Sequence, residues 1–393
     1  MGVLKKLYFD YAASTPVDPA VFEFMRSYFG EKFGNPSSLH FFGQEAMAAV
    51  DTSREIIAKA IDAEFQEIIF TSSATEANNL ALRGVVKGFV GPSRIIVSAV
   101  EHDSVLETAK DLEESGVEVV YLPVDKRGLI DFRKLEESLN EQTVLVSVMY
   151  ANNEIGAIQP LAKISKIISD FRQLKVKSQK LKVEAMYPLL HTDAAQAFKC
   201  LNCSVKKLGI DLMTLSAHKV YGPKGVGALF VKETAKNLLR PILTGTSQEQ
   251  GLRSGTENAA GIAGFGKAVQ LVTRDRETEA ERLRGLGDYF WRELKRAHSK
   301  IQCNNDPAIS APHILNLYFP DHLAKDLLIR LDMAGIAVSA GSACSTRSSK
   351  PSHVLKALGF GVERITRSLR FSFGKFTTEG EIKEAIKRIR KVL

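Results

Sequence analysis

The sequence has no long apolar segment. Among its 393 residues, none of the apolar runs reaches the ~18 residues that a membrane-spanning helix needs. The opening residues, MGVLKKLYFDYAAS, lack the apolar stretch of a secretory signal peptide. Internal repeats and low-complexity tracts are also absent from the sequence, which excludes solenoids and disordered chains. We therefore expect a globular protein of about two domains, located in the cytoplasm and without a membrane partner.

Cysteine is scarce. The four residues Cys200, Cys203, Cys303 and Cys344 are too few for a disulfide scaffold at this length. Cys200 and Cys203 form a CxxC pair, but no second pair or histidine cluster completes a zinc site. We expect no metal site, and the sequence leaves the role of this pair open.

Positive charge exceeds negative charge, giving a net charge of +8. The excess is concentrated in residues 174–182 and 383–392, and the second stretch has the isoleucine spacing of an amphipathic helix. Its lysines then form a solvated face. A basic surface also suits anionic cofactors and acidic protein partners, so the net charge does not require nucleic acid as the partner. We expect no direct nucleic-acid binding. A nucleic-acid-binding protein remains the alternative from another functional class.

Short β-branched runs alternate with helical patterns such as 104–115 and 160–173. This alternation predicts an α/β fold with a mostly parallel sheet. After residue 265 the pattern changes to a long charged helix (265–298) and a mixed α+β section. We predict a large domain at 15–264 and a small domain formed by 1–14 and 265–393. The stretch 172–190 is read as an insertion or a basic helix–loop. The seven predicted strands are EIIFTSS, RIIVSAV, VEVVYLP, TVLVSVMYA, LLHTDAA, LMTLSA and GALFV.

Polar clusters follow several of these strands. In parallel sheets, ligands bind beyond the carboxyl ends of the strands, so the clusters favour one shared site. They are Ser72–Glu76, Glu101–His102, Asn152–Glu154, Asp193–Gln196 and Ser216–Lys219.

The stretch LSAHKVYGPKGVGALFV (215–231) places Lys219 between a histidine and a glycine-rich turn. It could be a surface turn, a phosphate cradle or a site of lysine chemistry. A lysine amine can form a Schiff base with an aldehyde cofactor such as pyridoxal phosphate. That cofactor requires an acid beside its pyridine nitrogen, donors for its phosphate and a flat group against its ring.

Candidates for the ring lie in two motifs. In HTDAAQ, Asp193 could pair with the pyridinium and Gln196 could bond the ring hydroxyl. His102, after IIVSAVE, could stack on the ring. A single Asp or His is usually structural. The occurrence of all these residues in this order along the chain is therefore stronger evidence for a cofactor site than any one of them.

Candidates for the phosphate lie in two other motifs. SSATEANN (72–79) is a strand-to-helix turn, and its Ala74 and Thr75 would stand at a helix N-terminus, where phosphate binds. Ser216 and His218 flank the lysine and could add donors.

A family resemblance rests on motifs in a fixed order along about residues 7–385. The chain resembles the cysteine desulfurases of the NifS/IscS group, pyridoxal-phosphate enzymes of fold type I in the class-V aminotransferase family. This implies a large domain with a mostly parallel seven-stranded sheet flanked by helices, plus a smaller α+β domain. The motifs are YFDYAASTPVDP, GNPSSLH, SSATEANN, ANNEIG, HTDAAQ, SAHKVYGPKGVG, GLRSGTEN, GSACS and LRFSFGKFT.

The resemblance implies a role for each candidate. Lys219 is the cofactor lysine and later moves the substrate's α-proton. Asn153 lies beside cofactor and substrate, and Arg370 binds the substrate carboxylate, a task suited to a guanidinium. Thr256 reaches the phosphate of a neighbouring subunit, which implies a homodimer. The resemblance also makes His102 a catalytic residue that assists proton transfer. The other implied cofactor contacts are Ala74, Thr75, His102, Asp193, Gln196, Ser216 and His218.

Cys344 stands in SAGSACSTRSSKPS (339–352), a stretch without a large apolar anchor, as in mobile loops. Arg347 and Lys350 nearby would lower its thiol pKa, although a packing role remains the alternative. The resemblance implies that Cys344 takes the sulfur of L-cysteine as a persulfide and leaves L-alanine. The sulfur would pass to an acceptor protein, such as an iron–sulfur scaffold, or serve tRNA thiolation.

Several positions depart from the family pattern. Ser73 replaces a frequent glycine, Ala340 a frequent serine and Lys375 a frequent arginine. The longer basic stretch 172–190 keeps a selenocysteine lyase as an alternative. Another class-V enzyme, such as an aminotransferase, would form a keto acid and not depend on Cys344.

Overall fold

The computed structural model describes residues 5–177, 186–341 and 351–393, with the side chains of 176 and 177 left aside. The described strands are β1 (Leu7–Tyr8), β2 (Ile68–Thr71), β3 (Arg94–Ser98), β4 (Glu118–Leu122), β5 (Thr143–Ser147), β6 (Leu189–Asp193), β7 (Leu212–Ser216), β8 (Gly227–Val231), β9 (Gln302–Cys303), β10 (Ile314–Tyr318), β11 (Ile336–Ala337) and β12 (Ser368–Ser372). The described helices are α1 (Pro19–Arg26), α2 (Phe41–Ala60), α3 (Ala74–Gly88), α4 (Asp103–Glu114), α5 (Phe132–Ser138), α6 (Leu161–Lys177), α7 (Val205–Leu208), α8 (Ala259–Ala297), α9 (Ala324–Met333), α10 (His353–Ala357), α11 (Val362–Ile365) and α12 (Glu379–Val392).

A seven-stranded sheet forms the centre of the molecule, in the order β2-β8-β7-β6-β5-β3-β4. Strand β8 pairs antiparallel with both of its neighbours, and the remaining pairs are parallel. These are the seven strands that the sequence predicted, so the α/β fold with a mostly parallel sheet is confirmed. Strands β5, β7 and β8 are buried along their whole length, as expected for a sheet covered on both faces.

Two apolar cores cover the faces of this sheet. Leu145 and Leu229 contribute to one core, and their chain neighbours Val146 and Phe230 to the other. Successive side chains of a strand point to opposite faces, so the unbroken apolar runs supply both cores.

Helix α8 links the sheet to a third core. Its first half carries Phe265 into one core of the sheet, and its second half carries Phe290 into a separate core. This third core combines Phe9 from the N-terminal segment with β10, β12 and α12. Strand β1 also pairs with β11, far along the chain. The domain boundaries given above stay a prediction.

The C-terminal basic stretch is the amphipathic helix that its spacing predicts, with Ile382, Ile386 and Ile389 buried in α12. Helix α6 extends to Lys177 and so covers the start of the 172–190 stretch. None of the described helices is both long and apolar enough to cross a membrane.

Candidate active site

One cavity of about 180 Å³ lies at the carboxyl ends of the central strands. Strands β6 and β7 end there at Asp193 and Ser216, and α3 begins there after β2. The chain order therefore brings residues from distant motifs to one edge of the sheet, as the sequence predicted. The predicted site residues that line the cavity are Ala74, Thr75, His102, Asn153, Asp193, Gln196, Ser216, His218, Lys219 and Arg370.

Lys219 ends a 3₁₀ turn, Ala217–Lys219, that starts as β7 finishes. Its Nζ donates hydrogen bonds to the carbonyl oxygens of Ala12 and Ala13, at 2.7 and 2.8 Å. These carbonyls belong to the N-terminal segment, which the sequence did not connect with the lysine. The amine is thus held within a cavity where an aldehyde could reach it.

The Asp193 carboxylate is held from two directions. One oxygen accepts from the Asn78 side chain at 2.8 Å, and the other accepts from the Ala195 amide at 2.9 Å. Asn78 also donates to Ser104 at 2.8 Å. This fixed carboxylate suits a protonated pyridine nitrogen. Asn78 was missed, although it lies inside the SSATEANN motif.

His102 caps the N-terminus of α4, and its Nδ1 accepts from the Ser104 amide at 3.1 Å. Burial lowers the pKa of His102; the charge of Asp193 opposes this in part, and the Lys219 cation adds to the lowering. The neutral imidazole is therefore favoured at neutral pH. A neutral ring can stack on a cofactor and accept a proton.

The first turn of α3 supplies an anion site. Its N-terminal amides and helix dipole favour negative charge, and Thr75 adds a hydroxyl to the same cavity. Ser73 caps this helix by accepting from the Glu76 amide, with an extended backbone at φ −172°. Glycine is not required at that conformation, so the departure at Ser73 leaves the turn intact.

His218 directly precedes Lys219 in the chain, and its Nδ1 lies 3.3 Å from the Ser14 hydroxyl. Burial, followed by the charge of Lys219, lowers the pKa of His218 to about 4. The ring is neutral at pH 7 and can serve a phosphate as a hydrogen-bond donor but not as a cation.

Arg370 on β12 is almost fully buried, at 1% exposure. Its guanidinium donates to the Asn153 carbonyl oxygen and to the Asp10 carboxylate, both at 2.8 Å. Arg370 Nε and Asn153 Oδ1 are buried without a hydrogen-bond partner among the described residues. Two residues that line the cavity therefore each keep an unpaired buried polar atom, as at binding sites for polar ligands. Asp10 was missed, because its partner lies 360 residues away.

One predicted site residue lies outside the cavity, and another lies outside the described residues. Thr256 is exposed and does not line it. Cys344 lies outside the described residues.

The CxxC pair is buried in the core of the sheet. Burial raises the pKa of Cys200 to about 11 and that of Cys203 to about 12, so both are neutral thiols. Among the described residues, no group of metal-binding side chains is found. The geometry indicates packing for this pair.

The residues fit pyridoxal phosphate: an amine for the aldehyde, a fixed carboxylate for the ring nitrogen and a helix start for the phosphate. The buried guanidinium of Arg370 suits the carboxylate of an amino-acid substrate. When bound, this cofactor supplies an electron sink for carbanion chemistry.

Comparisons with known proteins agree with this site. The aminotransferase class-V family matches residues 7–384. A Dictyoglomus turgidum protein named cysteine desulfurase IscS is 42% identical over 390 residues, covering 99% of this chain and 95% of the relative. A solved NifS-like protein superposes with a TM-score of 0.89 at 35% identity, covering 98% of this chain and 99% of its own. A structure described as SspA in complex with cysteine superposes with a TM-score of 0.80 at 34% identity, covering 95% of this chain and 100% of its own. The chain belongs to the class-V aminotransferase family and, within it, to the cysteine desulfurases of the NifS/IscS group.

Proposed function

We propose that this pyridoxal-phosphate enzyme converts L-cysteine to L-alanine and transfers the sulfur to Cys344 as a persulfide. The observation that carries the proposal is the shared cavity, in which the Lys219 amine, the Asp193 carboxylate and the Arg370 guanidinium meet at the start of α3. The solved relative in complex with cysteine supports the same substrate. The supply of sulfur for iron–sulfur clusters or tRNA thiolation, and a cytoplasmic location, remain part of the proposal.

Proton movement is assigned to Lys219. Its amine must leave the carbonyls of Ala12 and Ala13 in order to hold the cofactor, which the substrate amine would then take over. Once free, it can remove the α-proton and later protonate the product carbon. His102, whose pKa is lowered by burial, is the neighbouring group that can share this proton.

Substrate orientation is assigned to Arg370 and Asn153. Arg370 and Asn153 both line the cavity, and Arg370 Nε and Asn153 Oδ1 are a donor and an acceptor without a partner among the described residues. The donor suits the carboxylate of L-cysteine and the acceptor suits its ammonium. Both residues are buried, so each contact would form with little competition from water.

Sulfur transfer is assigned to the thiolate of Cys344. It attacks the substrate sulfur, the carbon–sulfur bond breaks, and its electron pair stays on the substrate carbon. The Cys344 sulfur is oxidised to a persulfide, and the carbon takes a proton to become the methyl group of alanine. An acceptor protein, such as an iron–sulfur scaffold, then takes the sulfur.

The test combines a spectrum with mass analysis. The visible cofactor band should shift on addition of L-cysteine, and Lys219→Ala should lose this response. Cys344→Ser should keep the shift but form no persulfide and little alanine, while the control Cys303→Ser should form both. A persulfide on Cys303, or full turnover by Cys344→Ser, would overturn the assignment. Alanine formed from L-cysteine also argues against a strict selenocysteine lyase.

A homodimer is the proposed active form. Large apolar side chains with 64 to 92% exposure cluster along residues 22–41, and such a surface is typical of an interface. Sedimentation should give twice the chain mass. Mixing Lys219→Ala with Thr256→Ala chains should recover activity, because one site in each mixed dimer then has both residues. Monomeric active protein would contradict this. The exposed side chains are Phe22, Phe29, Phe33, Leu39 and Phe41.

A further inference from the structure

A buried histidine outside the cavity lining contacts Gln196. His313 precedes β10 and is fully buried. Its Nε2 lies 3.2 Å from Gln196 Oε1, and its Nδ1 lies 3.7 Å from the Cys200 sulfur. The other end of the Gln196 amide donates to the Ala12 carbonyl oxygen at 2.8 Å. Ala12 accepts from Lys219 as well, so this chain of contacts reaches the cofactor lysine.

The network fixes the orientation of the amide. A carbonyl oxygen can only accept, so the NH₂ end of Gln196 must face Ala12 and its oxygen must face His313. Two acceptors would repel each other, so His313 Nε2 carries the proton that it donates to Gln196. The tautomer follows from these partners.

The second ring nitrogen is consistent with this assignment. Burial, and then the Lys199 charge, lowers the pKa of His313 well below its ordinary value, so the ring holds one proton. Nδ1 is then an acceptor facing the Cys200 thiol. Burial raises the pKa of that thiol to about 11, so it keeps its proton and can donate. The Cys200 sulfur also lies 3.5 Å from the Ala197 carbonyl oxygen, so the Gln196 contact sets the tautomer and the thiol contact agrees with it.

We propose that His313 is a positioning residue, which orients the Gln196 amide so that its second N–H serves the ring oxygen of bound pyridoxal phosphate. One hydrogen of the NH₂ group goes to Ala12, and the other remains for the cavity that Gln196 lines. This inference rests on the proposed contact between Gln196 and the ring. Neither the CxxC motif nor the proposed mechanism accounts for His313.

Replacing His313 with a residue that cannot donate a hydrogen bond should change the visible spectrum of the bound cofactor. Without a donor at Oε1, the amide keeps only its contact with Ala12, so it can tilt and turn its second N–H away from the ring oxygen. A hydrogen bond to the anionic form of an acid favours that form, so its loss makes the ring oxygen more basic. When the ring oxygen is more basic, the proton next to it on the cofactor is lost at a higher pH. The pH midpoint of the visible band should therefore rise, by roughly 0.5 to 1 unit for one hydrogen bond.

The experiment titrates the visible spectrum of the holoenzyme. His313→Met removes the donor at similar length and should raise the midpoint, whereas His313→Gln restores an N–H at about the same reach and should return it toward the wild type. His322→Met, at a half-buried histidine that does not line the cavity, serves as the matched control. Thermal unfolding of each variant without cofactor reports any loss of folding separately.

A double substitution separates the two proposals. Gln196→Ala alone should shift the midpoint, and adding His313→Met should then shift it no further. If Gln196→Ala has no effect, the proposed ring contact of Gln196 fails. If Gln196→Ala shifts the midpoint but His313→Met does not, or if their effects add, the positioning role of His313 is overturned.

Discussion

Gly227 opens strand β8 directly against the start of α3, and its replacement by alanine tests the anion site. Gly227 pairs with Thr71 on one side and Ser216 on the other. A Cβ at this position would lie 2.7 Å from the Ser73 carbonyl carbon and 2.9 Å from the Ala74 nitrogen. Both contacts are to backbone, which cannot rotate away as a side chain can. The start of α3 must therefore shift.

The magnitude follows from these distances. Moving the 2.7 Å contact to an ordinary 3.4 Å separation displaces the helix start by about 0.7 Å. Overpacking of this kind costs roughly 1 to 3 kcal/mol. If the cost falls on the cofactor-binding arrangement, the dissociation constant of pyridoxal phosphate rises about 5- to 150-fold, at ~1.4 kcal/mol per factor of ten.

Cofactor binding is measured by titrating the protein freed of cofactor and following the visible band. The matched control is Gly285→Ala in α8, where an added Cβ meets nothing within 4 Å. Unfolding temperatures with and without cofactor separate weaker binding from a weaker fold. An unchanged dissociation constant in a folded Gly227→Ala protein would refute the claim that the α3 start carries the phosphate.

Three further predictions concern charged and thiol groups. The Asp10→Asn substitution weakens the ion pair with Arg370. A charged hydrogen bond contributes ~1.5 kcal/mol, so the KM for L-cysteine should rise by roughly 10-fold or more. An unchanged KM would contradict the role of Asp10 in holding Arg370. Burial raises the pKa of Glu101 from 4.5 to about 8, so the unfolded chain releases this proton first and stability should fall as pH rises through that window. Glu101→Gln should flatten the unfolding temperature across the same pH window, and a retained slope would be evidence against this cause. Cys200 and Cys203, with pKa values raised by burial to about 11 and 12, should resist iodoacetamide at pH 8 until the protein unfolds, as mass spectrometry of peptides would report.

The fold was predictable because strand burial leaves a strong signature. Runs such as TVLVS in β5 and GALFV in β8 are apolar at every position, since both faces of the sheet are covered. The long helix was also predicted, at 265–298 against the observed Ala259–Ala297. Its start was missed because the small residues Ala259–Gly266 lack the charge pattern of the rest. There they pack closely against α2 and α1 rather than facing solvent.

The cavity was predictable for a different reason. Apart from Arg370 within β12, the predicted residues that line it end a strand, follow a strand or begin a helix, and the parallel topology brings those ends together. The groups that hold these residues were not predictable. Asn78 and Asp10 are ordinary polar residues in sequence, and only the fold shows that they bind Asp193 and Arg370. His313 has no motif around it, and its contact with Gln196 was likewise not predictable from the sequence.

The N-terminal segment at residues 10–13 ties together parts of the site that lie far apart in sequence. Asp10 pairs with Arg370, and the carbonyl oxygens of Ala12 and Ala13 accept from Lys219. The Ala12 oxygen accepts from Gln196 as well. A backbone carbonyl accepts hydrogen bonds whatever its side chain, so these contacts leave no signature in the motif. Because one short segment contacts Lys219, Gln196 and Arg370, a shift of its backbone would move all three side chains together. The β1–β11 pairing next to it fixes that backbone.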